Sequence, residues 1–233
     1  MSFAALPERL AQVRAEIARQ QAAGGWTHAV TIVAVTKGFG PEAVTAALEA
    51  GLADIGENRV QEALDKLEKM DRVAAQGIRW HLIGHLQRNK AKLVPGRFAL
   101  VQSVDSLELA EELNRRSRER LRVLLQVNVA REPQKSGCTP EEAPGLARQI
   151  AGLGQLQLDG LMTMAPFTDD EDVQRRTFRS LRALRDTIKE DGVWLPTLSM
   201  GMSADYATAV AEGATAIRLG TVLFGPRGKE TTP

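Results

Sequence analysis

Cysteine is almost missing from this chain. Cys138 is the only one in 233 residues, so no intramolecular disulfide can form and nothing points to an oxidising compartment. Its neighbours in KSGC read as a loop, and a spectator thiol is expected. Net charge is missing too: 30 Lys and Arg against 29 Asp and Glu leave a formal +1, no global field for a polyanion, and nucleic acid is not expected as a partner. No apolar run approaches the roughly 20 residues that span a bilayer. The N-terminal segment, MSFAALPERLAQVRAEIARQQAAG, breaks its apolar positions with Glu8, Arg9, Arg14, Glu16 and Arg19 and so lacks a signal-peptide core. A cytoplasmic protein without membrane association is expected. Histidine occurs three times; His81 and His85 stand four apart, a spacing that serves a metal on a helix face, but His81 reads as strand, and no metal site is expected.

What is present is an ordinary globular composition, 43% hydrophobic and 25% charged, in a length that permits one α/β barrel or two small domains. Leu6, Leu10, Val13 and Ile17 recur at helical spacing and predict a helix over about residues 3–22, ended by the Gly24-Gly25 pair. Short apolar runs follow near 31–35, 53–55, 79–83, 99–102, 122–128, 157–163, 196–199 and 215–219. Amphipathic stretches such as PEAVTAALEAG, VQEALDKLEKM and SLELAEELNRRS separate them. Strands alternating with helices predict βαβ units and a parallel sheet, and eight units close a (β/α)8 barrel. The competing open, doubly wound sheet would show a Gly-rich turn opening its first helix, and KGFGPE has the wrong glycine spacing. The barrel is expected to occupy about residues 1–228, with 229–233 as a frayed tail. The basic runs RRSRERLR and LRALRD read as solvated helix faces.

Barrels of this kind build their sites at the C-terminal ends of the strands. The first such end is TIVAVTKGFG, where Lys37 leaves a buried strand. A strand-end lysine commonly snorkels into water, but one that is partly desolvated loses its proton more easily and attacks carbonyls. Asn58 follows the second strand, His81 belongs to the third, and Arg218, Gly220 and Thr221 follow the eighth. Ser203, after the seventh, reads as the N-cap of a helix with a hydroxyl and free amides nearby. The loops after strands 7 and 8 are frequent phosphate cradles, with Gly220 allowing close approach and Thr221 adding a donor. A cradle together with a lysine suits either a sugar phosphate held as an imine or pyridoxal phosphate. Arg218, two residues before Gly220, is placed to face the barrel interior and to keep a ring nitrogen unprotonated.

Read in order, TIVAVTKGFG, GENRVQEAL, WHLIGHLQRNK, LLQVN followed by KSG, GLMTM, LSMGMSADY and IRLGTVLFGPR resemble the YggS/PROSC family of pyridoxal-phosphate-binding homeostasis proteins, from about residue 4 to residue 227. The resemblance implies a single-domain (β/α)8 TIM barrel similar to the N-terminal domain of bacterial alanine racemase. It implies pyridoxal 5'-phosphate held as a reversible internal aldimine on Lys37, with phosphate contacts from Ser203, Gly220 and Thr221 and with Arg218 at the pyridine nitrogen. Asn58 is implied as a polar neighbour of the cofactor, and His81 as lining its pocket. The implied role is vitamin B6 and amino-acid homeostasis, with apo pyridoxal-phosphate enzymes as partners, and a monomer or weak dimer is expected. A racemase would need a second acid/base and a cover over the cofactor, which a tyrosine from an additional β domain supplies in alanine racemase-like enzymes. This chain has one tyrosine, Tyr206, and ends soon after the eighth strand, so no catalytic residue is assigned. The alternative is a racemase-like pyridoxal-phosphate enzyme acting on an unidentified amino acid. A Schiff-base aldolase fits less well, because such enzymes commonly carry their lysine on a later strand. The segment VAREPQ, with Arg131 and Pro133, departs from the family pattern and puts a secondary role for Lys135 in doubt.

Overall fold

The spacing of Leu6, Leu10, Val13 and Ile17 makes one apolar stripe, and helix α1 (Leu6–Gly24) buries those four residues. It stops where Gly25 enters the left-handed region at φ 70°, a conformation that glycine adopts without steric cost. The structure, a computed structural model, describes residues 3–70 and 75–226; the expected tail at 229–233 lies outside the described residues.

The alternation then builds a closed barrel in which every strand pairs in parallel with the next and β8 closes on β1. The strands are β1 (Thr31–Val35), β2 (Asp54–Glu57), β3 (Arg79–Leu82), β4 (Leu100–Val104), β5 (Leu121–Gln126), β6 (Leu156–Met162), β7 (Thr197–Met202) and β8 (Ala216–Leu219). Between them run α2 (Pro41–Glu49), α3 (Val60–Lys69), a 3-10 turn (Arg88–Leu93), α4 (Leu107–Arg116), α5 (Ala143–Ala151), α6 (Glu171–Glu190) and α7 (Tyr206–Ala211), and α8 (Thr221–Phe224) follows β8. β2 extends past the apolar run that announces it because Glu57 pairs with Leu82, and β7 because Met202 pairs with Arg218 beyond a register irregularity that includes Gly201; neither Glu57 nor Gly201 carries the apolar signal of a strand. Among the described residues no helix is long and apolar enough to cross a membrane.

Two expectations about surface charge fail. The run RRSRERLR is not a helix face: α4 ends at Arg116, Ser117 caps it, and β5 begins at Leu121, so the run turns a corner. Its Arg116 binds Glu112 at 2.8 Å, and Arg122 pairs with Asp159 of β6. The run LRALRD is not merely solvated either. Arg182 donates to the Glu212 carbonyl at 2.6 Å and to its carboxylate at 3.1 Å, and its guanidinium lies 5.2 Å from the Trp26 ring centroid. Arg175 and Arg179 reach the same carboxylate. Burial works against the Glu212 charge, yet Arg179 and Arg175 hold its carboxyl below the usual range. Periodicity shows which side of a helix is polar, but not which distant carboxylate meets it.

Apolar packing fills the layer between strands and helices, and inside the barrel Leu100, Leu124 and Met162 form a second small cluster. Beside it the interior carries a connected polar network. Arg79 holds Asp54 through two bonds of 2.8 and 2.6 Å, and Asp54 accepts from His81 Nε2 at 2.9 Å. Gln102 meets His81 Nδ1 at 2.9 Å, Ser199 donates to Gln102 Oε1 at 2.6 Å, and Arg218 donates to Ser199 Oγ at 2.6 Å. Read from Arg218, Ser199, Gln102 and His81 each accept on one side and donate on the other, and the series ends at Asp54, which accepts from both His81 and Arg79; this assigns the His81 proton to Nε2. Burial opposes the charge on Asp54, but His81 and Arg79 outweigh it and hold the carboxyl well below the usual carboxylate range.

Two outcomes are expected. A carboxylate with a depressed pKa contributes stability above its unfolded value near pH ~4 and loses it as pH falls through the folded value. Asp54→Asn should therefore lower stability near pH ~7 by roughly 1–3 kcal/mol, with the gap to the parent narrowing below pH ~4; urea unfolding at both pH values reads it, and a gap that widens in acid would contradict it. Cys138 is buried beside Val127, and burial, aided by the Glu142 charge, pushes its thiol up to about 12. Because the thiolate is the reactive form, a chromogenic disulfide reagent near pH ~8 should label Cys138 only after unfolding.

Candidate functional site

Val33 and Val35 of β1 face the barrel interior, where a Cβ on Gly56 would lie 2.9 Å from Val33 Cγ1 and 3.4 Å from Val35 Cγ2. Lys37 follows at the same parity. The chain turns there: Phe39 N–H donates to the Thr36 carbonyl at 3.0 Å, and Gly38 has φ 74°. A positive φ at the third position is what a type II turn demands, and it explains the Lys-Gly order. Lys37, second in the turn, is half-buried at the open end of the barrel.

Behind this turn lies a buried ionic cluster that sequence reasoning missed. Lys66 of α3 donates from Nζ to the Thr36 carbonyl at 2.7 Å, to Glu57 Oε1 at 2.5 Å and to Glu62 Oε1 at 3.2 Å. Thr36 Oγ1 donates to Glu57 at 2.5 Å, and Gly38 N–H donates to Glu62 at 2.7 Å. Burial pushes the Glu57 carboxyl up, while Lys66 and Thr36 pull it back. A signal was present in the sequence: Val60, Ala63 and Lys66 are the buried positions of α3, so a lysine sits in the apolar stripe.

The opposite wall comes from β7 and β8. Ser203 does not cap a helix, contrary to the sequence expectation. Asp205 N–H bonds the Met202 carbonyl at 3.1 Å and Asp205 Oδ1 accepts from Met202 N–H at 2.5 Å, a tight turn that delays the helix until Tyr206, with Asp205 at its N-cap position. Ser203 Oγ instead accepts from the amides of Gly220 at 3.2 Å and Val222 at 3.3 Å. Two backbone N–H groups thus converge on one oxygen. Thr221, between them, is exposed. A Cβ on Gly220 would meet the Val35 carbonyl at 3.5 Å, an ordinary contact, so packing within the chain does not demand glycine there.

Arg218, 4% exposed, lies beneath this wall and donates to Ser199 Oγ and, at 2.8 Å, to the Thr163 carbonyl. Burial brings its guanidinium down to about 10, with Asp205 opposing the shift. Among the described residues, two of its five N–H donors are used in these bonds.

The remaining candidates divide. Asn58 follows β2 at half-burial, and Gly84 packs so closely on it that a Cβ there would lie 2.4 Å from the Asn58 carbonyl oxygen. His81 has both ring nitrogens engaged by Asp54 and Gln102, so it reaches Arg218 only through Gln102 and Ser199. Lys135 donates to the Ala165 carbonyl at 2.7 Å and pairs with Glu132, in a loop where Arg131 takes a positive φ of 55°. The same loop is organised by Asn128, whose amide donates to Glu132 and Lys135 carbonyls. Tyr206 packs against the outer core and is influenced by Glu16 and Arg19 of α1, on the outside of the barrel. Among the described residues no group of His, Cys, Asp and Glu is arranged to hold a metal.

An amine, two convergent amides and a buried guanidinium therefore meet at one end of the barrel. This donor set suits a ligand with a carbonyl at one end and an anionic oxygen cluster at the other.

The sequence pattern of the family described as alanine racemase, N-terminal domain, matches residues 9–228. The pyridoxal phosphate homeostasis protein of Pseudomonas aeruginosa is 42% identical over 95% of this chain and 96% of its own length. That of Aquifex aeolicus is 39% identical over 94% of this chain and 97% of its own. PipY of Synechococcus elongatus, solved with PLP bound, is 35% identical and superposes with a TM-score of 0.82 over 94% of this chain and 100% of that one. Alanine racemase of Clostridium difficile, 17% identical, shares the fold with a TM-score of 0.72 over 92% of this chain and 58% of its own. With such identity across nearly its whole length, the chain belongs to the pyridoxal phosphate homeostasis proteins, within the alanine racemase N-terminal domain family.

Proposed function

We propose that this chain binds pyridoxal 5'-phosphate through Lys37, Ser203, Gly220, Thr221 and Arg218, with Asn58 alongside, and serves vitamin B6 and amino-acid homeostasis as a reversible carrier. The observation that carries the reading is the pairing of β1 with β8. The register Ala34↔Leu219 brings the turn with Lys37 beside Gly220, whose amide shares the Ser203 oxygen with Val222. The names of the relatives and the PLP-bound PipY structure support the same ligand.

When bound, pyridoxal phosphate supplies an aldehyde carbon that takes up an amine nitrogen with loss of water and releases it again by exchange. Lys37 supplies that amine. Ser203 and the amides of Gly220 and Val222 bind the phosphate oxygens. Arg218, locked by Ser199 and Thr163, places a positive charge where a ring nitrogen would otherwise take a proton. That weakens the electron sink on which Cα chemistry depends. Tyr206, the only tyrosine, faces α1 and does not supply a second acid/base. Storage and delivery to apo pyridoxal-phosphate enzymes, with no amino-acid turnover, is the role these features favour.

Borohydride treatment of the loaded protein should fix the cofactor to the peptide containing Lys37; a label confined to Lys135 or Lys90 would refute the assignment. Lys37→Ala should lose the visible absorbance yet keep weak binding, because charge-assisted bonds to phosphate are each worth ~1.5–3 kcal/mol. Ser203→Ala should weaken cofactor affinity by roughly tenfold while leaving Lys37 reactive.

The carrier role has its own test. Loaded protein should activate an apo pyridoxal-phosphate enzyme, and chiral analysis of amino acids incubated with it should show no racemisation. Rapid stereospecific turnover abolished by Lys37→Ala would instead establish a racemase-like enzyme.

A further inference from the structure

We infer that Lys66 and Glu57, buried in the layer between the strands and α3, are positioning residues that set the direction in which Lys37 leaves the barrel. The inference rests on the reading of Lys37 as the aldehyde-holding amine.

The pair occupies an improbable place. Glu57 alternates with inward-facing Gly56 and points into the layer between the strands and α3, among Ile55, Val60 and Ala63; it is 0% exposed and Lys66 is 4% exposed. A buried ion pair in such surroundings is commonly no more stabilising than apolar side chains of the same volume. Stability alone does not account for it.

Its hydrogen bonds do. The Thr36 carbonyl belongs to the peptide group before Lys37, and Lys66 Nζ donates to it at 2.7 Å. The Gly38 N–H belongs to the peptide group after Lys37, and it donates to Glu62 at 2.7 Å, while Glu62 in turn accepts from Lys66 at 3.2 Å. Both planar peptide groups that flank Lys37 are thus tied to the same ammonium, one directly and one through Glu62. Glu57 holds that ammonium at 2.5 Å and takes the Thr36 hydroxyl as well. The three N–H donors of Lys66 are all engaged, on Thr36, Glu57 and Glu62.

Two fixed peptide planes define the Cα–Cβ direction of the residue between them. For a lysine this matters because Nζ sits at the end of a four-carbon stem, and a small rotation at the root displaces the amine by a large distance at the tip. Misplacing a reacting group by about 1 Å slows a reaction by roughly 100-fold.

The test compares Lys66→Met, the double variant Lys66→Met/Glu57→Gln and the milder Glu62→Ala with the parent. Thermal unfolding, hydrogen exchange of the Gly38 amide in ligand-free protein, and the rate at which borohydride fixes added pyridoxal phosphate to Lys37 are read for each. The expected result is faster exchange at Gly38 and Lys37 labelling slowed roughly 10- to 100-fold in the Lys66 variants, and several-fold in Glu62→Ala. The double variant removes the unpaired buried charge, so it should recover thermal stability while its labelling stays slow. A stable double variant that labels Lys37 within twofold of the parent rate would overturn the positioning role. A parent that labels another lysine would overturn the underlying reading of Lys37, and this inference with it, whatever the exchange at Gly38.

Discussion

Everything at the open end of this barrel depends on one pairing, that of the first strand with the last. Thr31 to Ala34 lie against Ala216 to Leu219, and this closure converts residues separated by most of the chain into neighbours. Without it, Lys37 and Gly220 would stand at opposite edges of an open sheet. Closure also pairs both edge strands, and it sets a polar rim on an interior that holds Val33 and Val35 as well as the cluster of Leu100, Leu124 and Met162.

The polar interior follows from burying Arg218. A guanidinium that is 4% exposed must have partners, and Ser199 and Thr163 supply them. Ser199 then needs an acceptor, Gln102 provides it, and the demand passes through His81 to Asp54 and ends at Arg79, whose side chain reaches the solvent at the far end of the barrel. The chain conveys a constraint and not a reaction. It makes the orientation of Arg218 depend on groups at the opposite face, and it leaves His81 no free nitrogen.

The buried cluster behind Lys37 obeys the opposite logic. Inside the barrel, the buried polar groups are linked to the Arg218 guanidinium; in the helix layer, Glu57 and Lys66 are buried where apolar residues surround them. Both arrangements place charge in low dielectric, where it is costly and direction-sensitive. Both therefore hold backbone or side chain in one geometry more firmly than apolar packing does.

Much of this was legible in the residues. Period-2 and period-3.6 patterns reveal the alternation of strands and helices, because burial on one face is a local demand that each segment meets by itself. The same local demand marks Lys37, Asn58, Ser203, Arg218 and Gly220 as polar or small residues at strand ends. What a segment does to a distant segment left no such trace. Ser203 reads as a helix cap because serine before a helix usually is one, and only the Met202–Asp205 turn and the approach of β8 give its oxygen to Gly220 and Val222 instead. RRSRERLR and LRALRD read as solvated faces because the partners of Arg122 and Arg182, Asp159 and Glu212, lie on other elements. The sequence by itself determined the order and type of the elements and the chemistry available at their ends, since these follow from local periodicity and side-chain type. Which of those ends meet, and which charges are buried between them, was decided by barrel closure and helix docking, since contacts between residues far apart in the chain exist only after the whole sheet has paired.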